Sequence, residues 1–181
     1  LGQLSSKIWL ISELKKLNVI ADNSTGVLLG GWIGTIVPLL HEHFNFDRIY
    51  GIDSDPSSIE LAEKFNRAYV QNSWKFKGVV ADVLMLSTHD MQFVTDGELI
   101  QTSPDVVFNT SCEHMDSSWF DTVASNQLIV AQSNDNPNFD GHINTCKDMD
   151  NFVEKYPMSN VLYSGSIQLP IYTRFMQIGY K

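Results

Sequence analysis

The chain has 181 residues, of which 43% are hydrophobic, and this length and composition suit one domain with a sizeable core. Its formal net charge of −9 argues against nucleic acid as a partner, because a polyanion meets a repulsive average field. No apolar stretch reaches the roughly 18–20 residues that a membrane span requires, and two cysteines are too few for a disulfide framework. We therefore expect a single domain over residues 1–181, in a reducing cytoplasm and without a membrane partner.

The first half of the chain alternates helix-like and strand-like segments. Residues 1–20 are predicted to contain a helix that packs on or caps the core, with Ser5 or Ser6 as its N-cap. Strands are predicted at residues 27–29, 48–52 and 76–81, and helices at residues 35–43 and from residue 56 onward. The second helix has the clearest start, since Asp55 is a good N-cap and Pro56 suits the first helical position. Its predicted apolar face comprises Ile59, Ala62 and Phe65.

The second half begins with residues 84–103, which carry no clear pattern. Beyond them the sequence predicts strands at residues 105–108, 128–131, 161–169 and 172–178, a short helix at 119–124, a polar loop at 133–144 and a helix at 148–156. The last two strands are joined by a turn at Pro170, and so tight a connection requires an antiparallel pair. We therefore predict an α/β fold whose sheet is mostly parallel, with helices on both faces and one reversed strand.

Three of the predicted strand ends carry residues suited to an adenosine-containing ligand. A glycine loop follows the first strand, where the backbone can approach a ligand and the next helix presents free N–H groups. Asp53 ends the second strand, where a carboxylate can accept hydrogen bonds from both ribose hydroxyls. Asp82 follows the third strand and is placed to meet an adenine amino group. Each feature alone could be a tight turn or a helix cap, but the ordered set favours a nucleoside site.

Four segments carry a resemblance to a known family: residues 27–35 (VLLGGWIGT), 49–53 (IYGID), 80–82 (VAD) and 105–109 (DVVFN). They resemble the successive motifs of class I S-adenosylmethionine-dependent methyltransferases. The resemblance implies a three-layer Rossmann-like fold, with a seven-stranded sheet and one antiparallel strand near the C-terminus. It also implies S-adenosylmethionine as cofactor, held by Gly30, Gly31, Trp32, Gly34, Thr35, Asp53, Ser54, Asp82, Val83 and Asn109.

The glycine loop departs from the pattern of that family. Leu29 occupies a position where the family usually has an acidic residue, and Ile33 and Thr35 stand where two glycines are common. These departures keep open a second hypothesis, in which the domain binds S-adenosylmethionine without catalysing methyl transfer and acts through a partner.

The reacting end is expected just after the fourth strand, where the resemblance places the catalytic groups. Glu113 and His114 are the candidates for a general base, since histidine titrates near neutral pH and a carboxylate can orient it. Asn109 is a candidate for orienting the acceptor or for holding the amino-acid part of the cofactor. His142, in the polar loop, is either a second candidate or part of a surface turn. Cys112 is expected to be an inert, partly buried thiol.

No metal ligands are predicted. Two histidines flank Glu42, but helical residues two positions apart do not face the same way, so we interpret residues 41–43 as a solvated helix end.

The acceptor is expected to be a small molecule or a protein side chain, because the chain has no insertion large enough for a separate recognition domain. Its binding surface would come from the N-terminal helix, residues 84–103, residues 133–144, or a partner chain or second copy. An NAD(P)-dependent oxidoreductase is a weaker alternative, since the chain lacks a Gly-x-Gly-x-x-Gly loop. The absence of a Gly-Lys-Ser/Thr motif excludes a P-loop phosphotransferase.

Overall fold

A computed structural model describes residues 2–181. The N-terminal helix, α1, spans Gly2–Leu17 and buries Leu10, Ile11 and Leu14 against the sheet. Position 1 of the predicted segment lies outside the described residues. The prediction of Ser5 or Ser6 as N-cap was wrong, because both lie within the helix. The hydroxyl of Ser6 instead donates a hydrogen bond of 2.9 Å to the carbonyl of Gln3, one turn back.

Seven strands form one sheet, in the order β3-β2-β1-β6-β7-β9-β8. They are β1 (Thr25–Leu29), β2 (Arg48–Asp53), β3 (Phe76–Val80), β6 (Val106–Asn109), β7 (Leu128–Asn134), β8 (Asn160–Gln168) and β9 (Thr173–Tyr180). Only β9 is reversed: it pairs antiparallel with β7 and β8, and the other pairings are parallel. The predicted seven-stranded, mostly parallel sheet with one antiparallel strand is confirmed.

The remaining helices are α2 (Val37–His43), α3 (Pro56–Phe65), α4 (Arg67–Gln71) and α5 (Met149–Lys155). Helix α3 begins as predicted, with the Asp55 carboxylate accepting a hydrogen bond of 2.9 Å from the Ser57 amide. The predicted apolar face was wrong at Phe65, which is 57% exposed. Six helical residues turn through about 600°, so Phe65 lies about 120° away from Ile59 around the axis.

Helices and irregular elements cover both faces of the sheet and make three layers. One face packs against α1, α2 and α3, through a core that includes Leu10, Leu40 and Ala62. The other face packs against α5, the 3₁₀ turn Ser117–Thr122 and a separate hairpin of β4 (Met91–Thr95) and β5 (Glu98–Thr102). The short helix predicted at residues 119–124 is this 3₁₀ turn.

Strand β7 is longer than predicted, and the difference affects the site. It runs to Asn134 rather than residue 131, so Gln132, Ser133 and Asn134 are buried strand residues at the carboxyl end of the sheet. None of the helices formed by residues 2–181 combines the length and apolar character that crossing a membrane requires.

Candidate functional site

Two clefts lie side by side at the carboxyl ends of the parallel strands. The first, which we call the Asp53 cleft, has a volume of about 640 Å³ and is lined by six of the predicted cofactor residues, Gly30, Trp32, Asp53, Ser54, Asp82 and Val83. The second, the Glu113 cleft, has a similar volume of about 640 Å³ and includes Gly31, Thr35, Glu113, His114, His142 and Arg174 in its lining. Gln3, Trp32, Ser111 and His114 line both clefts and mark their junction.

The glycine loop folds back over the end of β2. The amide of Trp32 donates a hydrogen bond of 3.0 Å to Oδ2 of Asp53, and the amide of Gly31 donates one of 3.1 Å to the carbonyl of Ile52. The Trp32 side chain is 52% exposed rather than buried in the core. The loop therefore presents an indole to the junction of the clefts.

Asp53 and Asp82 lie at the wall of the Asp53 cleft with part of their hydrogen-bonding capacity unused. Oδ1 of Asp53 accepts a hydrogen bond of 3.1 Å from the Asp55 amide, in addition to the bond from Trp32 to Oδ2. Oδ1 of Asp82 accepts one of 3.0 Å from the Leu84 amide. Since an ionised carboxylate has about four acceptor sites, both side chains can also accept hydrogen bonds from a ligand.

Two predicted cofactor residues do not line either cleft. Gly34 has a φ of +65°, and a Cβ atom there would lie 2.8 Å from Nδ2 of Asn66, in the core behind the loop. Asn109 is fully buried, and its side chain supports the segment that follows β6. Its Oδ1 accepts a hydrogen bond of 3.0 Å from the Ser111 amide, and its Nδ2 lies 3.1 Å from Sδ of Met115.

Glu113 is a buried carboxylate held by residues of two other strands. Its Oε1 accepts hydrogen bonds from Nδ2 of Asn134 at 2.7 Å and from Nη1 of Arg174 at 2.5 Å. A second nitrogen of Arg174, Nη2, donates to the carbonyl of Thr110. The other carboxylate oxygen, Oε2, is buried and has no hydrogen-bond partner among residues 2–181.

His114 is accessible at the junction, unlike its neighbour in the sequence. Its Nδ1 lies 3.1 Å from the carbonyl oxygen of Gly141, and its ring meets that of His142 edge-to-face with centroids 4.6 Å apart. Partial burial lowers the pKa of His114, although the nearby carboxylate of Glu113 acts in the opposite direction. A neutral ring with one nitrogen free is therefore favoured near pH 7.

His142 joins this cluster because the loop after β7 folds across the Glu113 cleft. The amides of Ile143 and Asn144 both donate to the backbone carbonyl of Glu113, at 2.9 and 3.0 Å. Nδ1 of His142 lies 2.6 Å from the carbonyl oxygen of Asn136 in the same loop. His142 lines the Glu113 cleft and also closes a turn, in which its amide donates a hydrogen bond of 3.1 Å to the carbonyl of Phe139.

Solved structures share this arrangement of strands. One is magnesium protoporphyrin IX methyltransferase from Synechocystis PCC 6803, solved with S-adenosylhomocysteine and also with S-adenosylmethionine. The structure with S-adenosylhomocysteine is 12% identical in sequence and has a TM-score of 0.69 over 99% of this chain and 83% of that one. A candidate methyltransferase from Haloferax volcanii, solved in complex with the methyltransferase activator Trm112, is 15% identical, with a TM-score of 0.64 over 99% of this chain and 91% of that one. The chain has the fold of the class I methyltransferases.

The likeness to known proteins is one of fold and not of sequence. No protein-family model and no curated protein matches the chain. A candidate sarcosine dimethylglycine methyltransferase from Galdieria sulphuraria is 18% identical, with a TM-score of 0.55 over 72% of this chain. This chain spans 48% of the length of that protein.

In this methyltransferase fold the clefts lie where the strand order reverses. Strand β1 has β2 on one side and β6 on the other, and ligands of open α/β sheets bind outside the carboxyl ends at such a point. The Asp53 cleft faces the ends of β2 and β3, and the Glu113 cleft faces those of β6 and β7. Sequence reasoning found the aspartates because they directly follow apolar strand segments.

Sequence reasoning missed Arg174 and Lys7, which both line the Glu113 cleft. Arg174 lies on β9, where no local pattern distinguishes a site residue from a surface residue. Burial, and then the positive charge of Arg174, lowers the pKa of Lys7. The cleft therefore brings two basic residues, Lys7 and Arg174, next to two acidic ones, Glu113 and Asp140.

The segments expected to recognise an acceptor differ in where they lie. Helix α1 and the loop after β7 contribute Gln3, Lys7, Phe139 and His142 to the Glu113 cleft. The hairpin β4–β5 comes from the stretch 84–103, which carries no clear pattern in the sequence. It instead buries Met91 and Phe93 on the sheet face that lies opposite to α1. Of the stretch 84–103, only Leu84 reaches either of the two clefts.

The structure also brings together residues suited to a metal, which the sequence did not indicate. Among residues 2–181, Glu113, His114 and His142 form the cluster that could hold an ion.

His41, at the helix end that the sequence analysis considered for a metal, makes other contacts. Its ring stacks on Tyr69, and its Nε2 lies 3.0 Å from the carbonyl oxygen of Lys75.

Proposed function

We propose that the protein transfers a methyl group from S-adenosylmethionine to a small-molecule or protein acceptor. The observation that carries this proposal is the pair of adjoining clefts, one lined by acceptors suited to an adenosine and the other by Glu113 and His114. Methyl transfer from a sulfonium requires mainly that nucleophile and methyl group are held in line at short range. Two ligands meeting at the Trp32–His114 junction satisfy that requirement.

The Asp53 cleft is the proposed site of the adenosine part of the cofactor. The two oxygens of Asp53 accept from the ribose hydroxyls, and Asp82 accepts from the adenine amino group. Gly30 and Ser54 line the same cleft, and Val83 supplies apolar surface. The methionine part extends past Trp32 towards Gly31 and Thr35, which line the neighbouring cleft. The burial of Gly34 and Asn109 supports a role in shaping these walls rather than in contacting the cofactor.

The Glu113 cleft is the proposed acceptor site. His114 contacts the reacting group of the acceptor, and Glu113 is fixed next to it by Arg174 and Asn134. Asn109 is a positioning residue, since its hydrogen bond to the Ser111 amide holds the segment that carries His114. A partner chain or a second copy would complete this site where the first turns of α1 line the cleft, at Gln3 and Lys7.

Calorimetric titration with S-adenosylmethionine and S-adenosylhomocysteine tests the cofactor, with NAD as the control ligand. We expect micromolar affinity for both adenosyl ligands and none for NAD. If the protein binds none of the three ligands, the methyltransferase proposal is overturned. Binding of NAD alone would support the oxidoreductase alternative instead.

The departures in the glycine loop support a second proposal, in which the domain binds the cofactor without catalysis. Leu29 is buried where the resemblance leads us to expect an acidic residue. The two proposals differ in one measurement. If the cofactor binds, a screen for methyl acceptors separates the two proposals. The enzyme should methylate an acceptor and lose turnover in His114→Ala, whereas a binding module should methylate none.

A further inference from the structure

Three potential metal ligands converge beside the junction of the two clefts. Glu113, His114 and His142 each offer one ligand atom, and these three atoms lie within 4.8 Å of one another. Glu113 and His114 are neighbours on the 3₁₀ turn Cys112–His114, whereas His142 comes from the loop after β7. The cluster is therefore produced by the fold and not by a local sequence motif.

The hydrogen bonds of the two histidines prepare both rings for metal binding. Nδ1 of His114 and Nδ1 of His142 each face a backbone carbonyl oxygen, at 3.1 and 2.6 Å, so both nitrogens must carry a proton and donate it. Each neutral ring then has its lone pair on Nε2. Metal-binding histidines typically donate their other N–H to a carbonyl or carboxylate, which fixes the tautomer and orients the ring.

The carboxylate of Glu113 supplies an independent observation. Glu113 is 3% exposed, and its Oε2 is buried without a hydrogen-bond partner among the described residues. An ionised oxygen in that position is costly unless a positive charge or a donor reaches it. Arg174 and Asn134 both donate to Oε1, so the lone pairs of Oε2 remain available to another group.

The backbone holds the loop of His142 against the turn of Glu113 and His114. The carbonyl of Glu113 accepts from the amides of Ile143 and Asn144. Nδ2 of Asn144 also donates to the carbonyl of Met115 at 3.0 Å. These bonds hold together the two backbone segments that carry the histidines before any ion arrives, so less ordering is needed when an ion binds.

We infer that Glu113, His114 and His142 bind a divalent first-row transition metal, such as zinc or manganese, at the acceptor side of the junction. Two imidazoles and one carboxylate are the ligand set of open metal sites, which keep a further position for water or substrate. Ligand bonds of roughly 2.0–2.2 Å require ligand atoms about 3–3.5 Å apart, so the widest pair, within 4.8 Å, must close by up to about 1.3–1.8 Å. The accessible ring of His114 can supply that movement.

An ion held by these three residues would lie at the wall of the Glu113 cleft, which all three line, so the acceptor bound there could reach it. The role of the ion in methyl transfer rests on the proposed function, whereas binding of the ion requires no cofactor. An acceptor hydroxyl bound to the ion would release its proton to water more readily, because a bound cation lowers the pKa of its oxygen ligands. The oxygen would then form the bond to the methyl group as the sulfonium–methyl bond breaks and S-adenosylhomocysteine leaves. Glu113 and His114 would then act on the acceptor through the metal.

Calorimetric titration of the full chain with Zn²⁺, in the absence of any adenosyl ligand, tests the site directly. Visible absorption on titration with Co²⁺ provides a second readout. We expect one ion per chain, and affinity that falls at least about tenfold in His114→Ala and in His142→Ala. Removing even an outer-shell partner of a metal ligand typically costs 10- to 100-fold.

His89→Ala and His43→Ala are matched controls, since both histidines are exposed and lie outside the cluster. They should leave Zn²⁺ affinity unchanged. Loss of binding in His43→Ala but not in His114→Ala would overturn the inference, and so would the absence of binding to the parent chain at millimolar Zn²⁺. Because both cluster histidines have accessible side chains, their alanine variants should fold, which circular dichroism verifies.

A separate titration with S-adenosylmethionine in the presence of EDTA distinguishes the two proposals. Cofactor binding without Zn²⁺ binding would reject the metal site and keep the proposed function. Zn²⁺ binding without cofactor binding would do the reverse.

Discussion

Arg174 on β9 forms a buried ion pair with Glu113, just beyond β6, with 2.5 Å between Nη1 and Oε1. The side chains are 8% and 4% exposed, respectively. The pair connects the one antiparallel strand to the turn that carries the proposed acceptor site. Removing either partner would leave a charge buried without compensation.

We expect Arg174→Met to lower the free energy of unfolding by about 3–5 kcal/mol, because breaking a buried pair from one side leaves an uncompensated charge. Urea denaturation at pH 7 in the presence of EDTA measures the change without a contribution from bound metal. Lys16→Met is the control, since it breaks an exposed pair in which Lys16 lies 2.7 Å from Glu13 and is 65% exposed. That variant should lose less than about 1 kcal/mol. Equal losses in the two variants would contradict the buried pair.

The features that could be predicted from the sequence are those determined by neighbouring residues. Helix α3 starts where Asp55 accepts a hydrogen bond from the amide of Ser57, two residues further on, with Pro56 at the first helical position. Asp53 and Asp82 could be assigned to one edge because parallel strands bring their carboxyl ends together. In each case a short segment contains the physical cause.

The hairpin β4–β5 was missed, although its turn carries a signal. Asp96-Gly97 is a two-residue connection typical of hairpins, with φ of 50° and 80°. The strands are hard to recognise because Val94 and Leu99 are 67% and 70% exposed, which blurs the alternation of buried and polar residues. A separate two-stranded sheet packed on a larger core tolerates such exposure.

The contacts between distant residues could not be predicted. Arg174 and Glu113 are 61 residues apart, and the register of β9 against β7 decides that they meet. His114 and His142 meet because backbone amides tie the loop after β7 to Glu113. The sequence therefore pointed to Glu113, His114 and His142 as candidates, whereas it could not predict which residues contact them.

We expect Asp53→Ala to weaken S-adenosylmethionine binding by roughly 1.5–3 kcal/mol, the value of charge-assisted hydrogen bonds, or about 10- to 150-fold. Calorimetric titration measures this change. Asp55→Ala is the matched control two residues away. It removes the N-cap of α3 and should cost about 0.5–2 kcal/mol of stability without changing cofactor affinity. An unchanged affinity in Asp53→Ala would mean that the ribose binds elsewhere.

Gly34→Ala should destabilise the fold more than Gly97→Ala, although both glycines have positive φ, +65° and +80°. The left-handed conformation costs a side chain about 1–2 kcal/mol at either position. At Gly97 an added Cβ meets nothing within 4 Å, whereas at Gly34 it would lie 2.8 Å from Nδ2 of Asn66. That buried amide donates to the carbonyls of Gly34 and Ala62, so displacing it costs hydrogen bonds as well. Thermal unfolding of the two variants gives the comparison, and equal losses would show that Asn66 moves freely.

Tyr156 should make the stability of the protein fall at alkaline pH. Burial raises the pKa of this phenol, so the folded chain keeps a proton that the unfolded chain releases near pH 10. The contribution to stability is complete below the unfolded pKa and is lost as the pH rises towards the folded one. Each such group contributes a slope of at most about 1.4 kcal/mol per pH unit.

Tyr156→Phe should reduce that alkaline slope while costing stability at neutral pH. The variant loses the hydrogen bond of 3.1 Å that Asn144 donates to the phenol oxygen, for which about 0.5–1.5 kcal/mol is expected. Urea denaturation at pH 8 and at pH 10.5 measures both effects in the parent and the variant. The buried thiols Cys112 and Cys146 are present in both proteins, so the difference between their slopes reports the phenol together with its electrostatic effect on those thiols. Identical slopes would mean that water reaches Tyr156 in the folded state, since only solvation could bring its pKa back to that of the unfolded chain.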